Sequence, residues 1–557
     1  MNPFPGGKNN PDQMRMTDRP IFNHATMNTL LVLLFTSLSA INCTKTNISE
    51  TDGSGLSDFS LTPARKPIFI GKPDVPAYQL KIQCKASDKI ILKKIVINFT
   101  PTSQTDCIAS LSFGASGESQ SIFGSMQQVG VKTVVAGSLP IKAGLNSIDL
   151  LIRLKENTSL MDSFEIRDVE LTFDSGQTIT VKTDSKFVCR PAILVRAAGQ
   201  DQVNTYRIPG LITTQKGTLI AVYDIRYLGS GDLQGDIDVG MSRSTDGGQT
   251  WESMKKVIDM GTYNGLPQNQ NGVGDPSVLV DQATNTIWVA GLWVNGLPGQ
   301  TAWNGSKPGM KPGETGQFIL VKSEDDGITW SQPINITEQC KRPEWNLFFQ
   351  GPGKGITMKD GTLVFPAQFK DDQKVPFSTI IYSKDHGKSW SVGTGAKSNT
   401  TESQVVELVD GSLMLNMRDD RNRTEKGYLN GRAVSTTKDL GKTWTVHSSS
   451  NSALPESNCQ ASIIAAKVMV GGVSKDVLFF SNPNDKSSRA HMTIKASLDQ
   501  GVTWPVAYQT ELNSDDSYGY SCLTMVDENT LGILYEGTKN LYFQKISVTD
   551  LIGNLSK

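Results

Sequence analysis

The sequence predicts an all-β protein, a six-bladed β-propeller preceded by an N-terminal β-sandwich. Three observations predict it. One eight-residue turn occurs five times between residues 244 and 504. Residues 60–190 read as short alternating strands separated by Gly and Ser. From about residue 193 to 546 the chain runs strand, turn, strand with almost no helical periodicity.

The turn is Ser244-Thr-Asp246-Gly-Gly248-Gln-Thr250-Trp251. Its later copies end at Trp330, Trp390, Trp444 and Trp504, so the tryptophans lie 79, 60, 54 and 60 residues apart. An Asp side chain accepts hydrogen bonds from the backbone of its own turn, and Gly supplies the positive φ. The Trp packs the turn against a neighbouring strand and its indole N–H needs a partner. Each copy therefore reads as a pinned hairpin. Five of them, with the closing strand Leu531–Glu536, imply six radially repeated sheets. The Gly-, Asn- and Pro-rich segment 261–315 is expected to be a long loop system that explains the widest spacing.

Upstream, Tyr78–Gln83, Lys94–Phe99, Phe164–Phe173 and Thr178–Lys182 alternate as sandwich strands do. The expected organisation is a leader over 1–43, a polar linker over 44–60, the sandwich over 61–190 and the propeller over 193–550. The sandwich is either a carbohydrate-binding module or a spacer. In the leader, Thr29–Ile41 is an apolar run of 13 residues, too short for an ordinary span and suited to a signal peptide. Cys43 follows it, so the expectation is export from the cytoplasm as a periplasmic, cell-surface or secreted protein, with Cys43 the candidate for a lipid anchor.

Composition removes several classes of function. Net charge is −1 and no long basic run occurs, which speaks against a nucleic-acid partner. The seven cysteines include no C-x-x-C pair, and the four histidines show no metal-ligand spacing, His386 being read as solvent-facing. No metal or other cofactor is expected, and the chain is expected to be a monomer.

At the head of the second domain stands Tyr206-Arg207-Ile208-Pro209. Followed by the repeated turns, it makes residues 195–546 resemble the bacterial secreted sialidases, whose signature is that order of motifs. The resemblance implies an exo-α-sialidase, a hydrolase releasing terminal sialic acids from glycoconjugates. It also implies three arginines gripping the sugar carboxylate, here Arg207, Arg418 and Arg489, with Arg421, Arg423 and Arg432 read as solvated competitors. Guanidinium forks suit that task better than lysines. The implied nucleophile is Tyr520 in Tyr520-Ser-Cys-Leu523, with Tyr518 the alternative on the same strand face, and Glu402 is the base that takes its proton. A neutral phenol avoids the like-charge approach that a carboxylate would face, and sialidases are known exceptions to the two-carboxylate scheme. Asp232, after Gly229-Ser-Gly231, is the implied general acid, with Asp236 its rival and Asp238 structural. Arg226 would bind a ring hydroxyl or steady Asp232, and Glu536 would pair with Arg207. Trp293, Trp303 and Trp345 are candidates for stacking on sugar. The rival functions are a trans-sialidase and a non-catalytic glycan-binding propeller.

Overall fold

The computed structural model describes residues 55–85, 90–117 and 121–553. The apolar run and Cys43 lie outside the described residues. The described chain is built from small, almost wholly antiparallel sheets, in a propeller-like all-β arrangement.

Two sheets come first. One orders Leu56–Pro63, Val75–Cys84, Gly144–Leu154, Ile108–Ala115 and Ser121–Met126. The other orders Thr178–Lys182, Ile166–Phe173, Ile90–Phe99 and Lys132–Ile141. Both give side chains to one core, Tyr78 and Ile82 from the first and Ile95, Ile97 and Leu171 from the second. Alternation with period two makes this possible, because only one face of each sheet is apolar. The first strand begins at Leu56, inside the segment expected to be linker.

Six sheets follow, here I to VI, with first strands Thr205–Thr213, Val273–Val280, Leu347–Gln350, Thr400–Glu407, Ser462–Val470 and Ser521–Asp527. Each sheet touches the next, and VI touches I through their first strands. Pro191–Arg196, from the start of this region, pairs antiparallel with Leu541–Ser547 at its end and joins sheet VI. The same strand pairs in parallel with Ile68–Phe69, so it spans the junction expected near residue 193.

All five turns link the third strand of a sheet to the strand that follows it, as between Ile237–Ser244 and Lys255–Ile258. In the second copy Ser323 Oγ donates to Asp325 Oδ1 at 2.9 Å, while Thr329 N and Oγ1 donate to the two Asp325 oxygens at 2.8 and 2.5 Å. Gly327 N donates to Ser323 Oγ at 2.9 Å with φ at +82°. The expectation of an indole partner holds for Trp251, which donates to Gly248 O, and for Trp444, which donates to Thr394 O. Among the described residues, Trp330 Nε1 and Trp390 Nε1 have no hydrogen-bond partner. Trp390 instead packs edge-on against Trp288 of the preceding sheet, so apolar contact decides its position.

One expectation is overturned. Segment 261–315 is not a loop system throughout, because Val273–Val280 and Ile287–Trp293 are two full strands of sheet II. Gly274 and Pro276 sit at the bulge where regular pairing breaks, and other Gly, Asn and Pro residues of the segment lie in the flanking loops.

Candidate active site

Three first strands carry a break in pairing at the same end of the sheets. In sheet I the register shifts between Arg207 and Gly210, in sheet II between Gly274 and Ser277, and in sheet IV between Thr400 and Ser403. A bulge bends its strand and re-aims side chains. Here the bulges hold Arg207, Asp275 and Glu402. Ile208 has φ +58° and Asp275 φ +56°. For a β-branched residue this is a strained conformation, and the Ile208 N–H is held by Glu536 Oε1 at 2.9 Å.

These residues open on a cavity of about 390 Å³. Arg207, Asp232, Glu402, Arg418, Arg489 and Tyr520 all line it, from distant parts of the sequence. Arg207 Nε donates to Glu536 Oε1 at 3.1 Å, and its guanidinium lies 4.5 Å from the Tyr518 ring. Glu536 is fully buried and also accepts the Tyr520 N–H at 2.9 Å. Arg418 donates to Glu402 Oε2 at 2.7 Å and to Tyr520 Oη at 3.2 Å. Tyr520 Oη donates to Glu402 Oε1. Arg489 donates to Tyr518 O at 2.9 Å and stands 5.6 Å from the Tyr520 ring.

Charge follows this geometry. Burial pushes the Tyr520 phenol well above its ordinary range, and the neighbouring Glu402 carboxylate adds to it. Burial alone would raise Glu402, but the Arg418 guanidinium, the Tyr520 hydrogen bond and Arg489 together outweigh it and hold the carboxyl below its usual value. A neutral phenol thus donates to an ionised carboxylate.

Asp232 projects its side chain, 70% exposed, into the cavity mouth. Arg226 Nη1 donates to Asp232 Oδ1 at 2.8 Å and to the carbonyls of Ser230 and Gly231 at 2.7 and 2.9 Å. Burial opposes ionisation of Asp232, but Arg226 and Arg207 overcome it and lower the carboxyl. Arg226 is itself buried and does not line the cavity; Asp224 Oδ2 anchors it at 3.0 and 2.8 Å. Asp236 and Asp238 are also outside the cavity lining, and Asp238 is tied to Tyr227, Lys256 and Gln268.

Several expectations are corrected. Arg432 is not solvated: it is 1% exposed and donates to Asn416, Glu456 and Cys459 O. Arg421 and Arg423 do keep exposed side chains, although Arg423 reaches the cavity rim. Tyr518 and Tyr520 lie just before the strand Ser521–Asp527 rather than on a shared strand face. Of the three tryptophans only Trp303 lines the cavity. Trp293 is buried against Tyr263, and Trp345 stacks on Phe369 at 4.0 Å, both inside sheet cores. His386 is exposed as expected, and its Nδ1 meets Asp281 at 2.8 Å.

Sequence reasoning missed Asp275, Asp224 and Asn458. Asp275 lines the cavity, and burial beside Asp224 and Asp232 pushes its carboxyl well above the usual range. Its N–H is held by Asp224 Oδ1 at 2.8 Å. The one local signal is an Asp between Gly274 and Pro276 in an apolar strand. Asn458 accepts from Arg418 at 2.9 Å, and nothing in its neighbourhood of sequence marks it. An apolar wall of Leu292, Ala302, Leu347 and Phe349 completes the cavity. Among the described residues, no cluster of His, Cys, Asp and Glu is placed to hold a metal ion.

Comparison with known proteins fits this geometry. The BNR repeat-like domain family matches residues 208–536. A sialidase of Bacteroides fragilis is 49% identical over 425 residues, spanning 76% of this chain and 77% of its own. A Clostridium perfringens sialidase is 30% identical over 361 residues, spanning 61% and 88%. Among solved structures, a Hadza microbial sialidase aligns with a TM-score of 0.80 at 42% identity, covering 88% of this chain and all of its own. With the cavity's arginines, carboxylates and buried phenol, these likenesses establish that the chain belongs to the bacterial-type sialidases of glycoside hydrolase family 33, enzymes that hydrolyse sialic acid-containing substrates.

Proposed function

We propose that this enzyme is an exo-α-sialidase that retains configuration through a sialyl-tyrosine intermediate. The observation that carries the reading is the hydrogen-bonded set Arg418–Glu402–Tyr520 on the wall of a cavity with two further arginines. Arg207, Arg418 and Arg489 hold the sugar carboxylate. Tyr520 Oη attacks the anomeric carbon C2 and passes its proton to Glu402, while Asp232 protonates the departing glycosidic oxygen. Water then attacks C2 with Asp232 as base, and the released phenolate recovers its proton from Glu402. Binding of the substrate carboxylate draws on the field of Arg207 that lowers Asp232 in the open cavity, which favours the protonated acid. The oxocarbenium-like transition state is stabilised by the negative charge that develops beside it as the Tyr520 proton passes to Glu402.

The six sheets are read as six blades, and the two earlier sheets as a sandwich. The apolar run before Cys43 supports export of the chain. Terminal sialic acids of glycoproteins, glycolipids and oligosaccharides are the substrates. A second reading of the proton donor is favoured by one observation: Asp275 lines the cavity and burial raises its carboxyl, whereas the arginines lower that of Asp232.

Tyr520→Phe tests the central claim. Turnover of an aryl sialoside is expected to fall by roughly 10³-fold or more, as for loss of a nucleophile, while ligand affinity stays within a few fold. Unchanged turnover would overturn the assignment. In the same series, product analysis on sialyl-lactose should show free sialic acid; an anhydro or transferred sugar would mark a trans-sialidase. Asp232→Asn is expected to cost more with a poor leaving group than with an activated one, and if Asp275→Asn shows that pattern instead, Asp275 is the donor.

A further inference from the structure

Two of the three cavity arginines are fastened by one residue. Arg418 Nη2 donates to Asn458 Oδ1 at 2.9 Å, and Arg489 Nη2 donates to the backbone carbonyl of Asn458 at 3.0 Å. The Asn458 amide nitrogen reaches back to Asp419 O at 3.2 Å and Asp420 Oδ1 at 3.3 Å, on the segment directly after Arg418. Asn458 is 6% exposed, has φ +58° and does not line the cavity. That left-handed conformation lets its side chain and carbonyl serve two different sheets, and Asn tolerates it better than most residues.

The segment is itself anchored from below. Glu456 accepts from Arg432 at 3.2 Å, from Asn422 Nδ2 at 2.6 Å and from Asp419 N at 3.1 Å. Arg432 also donates to Cys459 O at 2.6 Å. Asn458 is thus held on both sides by a buried ion pair. It is placed to hand that rigidity to two guanidinium groups, Arg418 on a strand of sheet IV and Arg489 in a loop between two strands of sheet V.

We propose that Asn458 is a positioning residue for recognition of the substrate carboxylate, making Arg418 and Arg489 act as a single preorganised clamp. This rests on the reading that those arginines bind that carboxylate. A long Arg side chain recognises a carboxylate well only when its planar fork is already oriented. Asn458 orients both forks without adding charge, so the arginines keep their positive field for the ligand. Arg418 Nε is buried and stands 3.9 Å from Asp420 Oδ1, so the fork is also tied on its inner side.

The test compares two ligands, 2,3-unsaturated sialic acid and its carboxamide, by titration calorimetry on the wild-type chain and on Asn458→Gly. Glycine keeps the positive φ and the carbonyl to Arg489 but deletes the bond to Arg418. Affinity for the carboxylate should fall about tenfold while affinity for the carboxamide changes less than twofold. A general structural role would lower both alike, and that result, or no change in either, overturns the proposal. If the wild-type chain does not prefer the carboxylate, the clamp reading itself fails, and this inference with it. Asn458→Ala supplies a second arm should the glycine variant not fold. It also deletes the bond to Arg418 and keeps the carbonyl to Arg489, so carboxylate affinity should again fall more than carboxamide affinity.

Discussion

Among the described residues, Lys495 has no counter-charge. It is 1% exposed, donates to Asn482 Oδ1 at 2.9 Å and lies 5.6 Å from the Phe480 ring. Burial pulls its ammonium down to about 7 from 10.5. The unfolded chain therefore binds more protons than the folded one between those values, so this residue makes stability rise as pH increases from about 7 to about 10. Below that window the full penalty of a buried charge remains. Lys495→Met is expected to stabilise the fold by about 2 kcal/mol at pH 6, net of the orphaned Asn482 oxygen, and to flatten that part of the pH profile. Urea titrations at pH 6 and pH 9 check it, and equal stability gains at both would sink the idea. At this scale the site was unevenly legible in sequence. Arg207, Glu402 and Tyr520 could be found because each sits in a short motif. Asp275 and Asn458 could not, because their roles depend on bulges and positive φ values that single-residue pattern does not encode.

The repeated turn changes meaning once its neighbours are known. Its sequence explains an internally pinned hairpin, and the hydrogen bonds around Asp325 are those expected. What the sequence did not reveal is where the turn rests. Gly248 of sheet I faces Phe543 of sheet VI, Gly327 faces Ile220 of sheet I, Gly387 faces Trp288 of sheet II, and Gly441 faces Ile380 of sheet III. Gly501 continues the series against Met414 of sheet IV. Each turn therefore fastens its own sheet to the one before it. The glycine is needed twice over, for positive φ and for close approach. A Cβ on Gly387 would stand 2.3 Å from the Trp288 ring, and its φ is +80°. Gly387→Ala should destabilise the protein by about 2 kcal/mol or more through overpacking and strain, with KM for an aryl sialoside unchanged. A thermal melt and steady-state kinetics on the same sample decide this; a raised KM at unaltered melting temperature would mean the turn reaches the site.

The ring of sheets is closed by chain segments far apart in sequence, and the two N-terminal sheets take part in that closure. Ile68–Phe69 adds a strand beside Pro191–Arg196 in sheet VI. Leu160, 1% exposed, packs in the same core as Val195, Tyr206, Tyr223 and Phe543. Around it, Gln249 of the first turn donates to Thr158 O at 2.7 Å, and Arg190 meets Asp550 at 3.0 Å. Alternation predicted the N-terminal strands and the repeated turn predicted the later sheets, because each is a local property of the sequence. They could not predict a shared core, which arises only when distant segments meet. The stretch after Gly144–Leu154 reads as a polar connection, yet it delivers Leu160 to sheets I and VI. The consequence is thermodynamic coupling: residues 55–553 should unfold in one transition rather than two. Leu160→Ala removes a buried side chain from that junction and should cost about 2–5 kcal/mol. Scanning calorimetry is expected to show a single peak in both proteins, moved down by several degrees in the variant. If the variant instead splits the peak, or leaves a sheet I–VI transition at the wild-type temperature, the N-terminal sheets fold independently and the shared core contributes little to holding the site together.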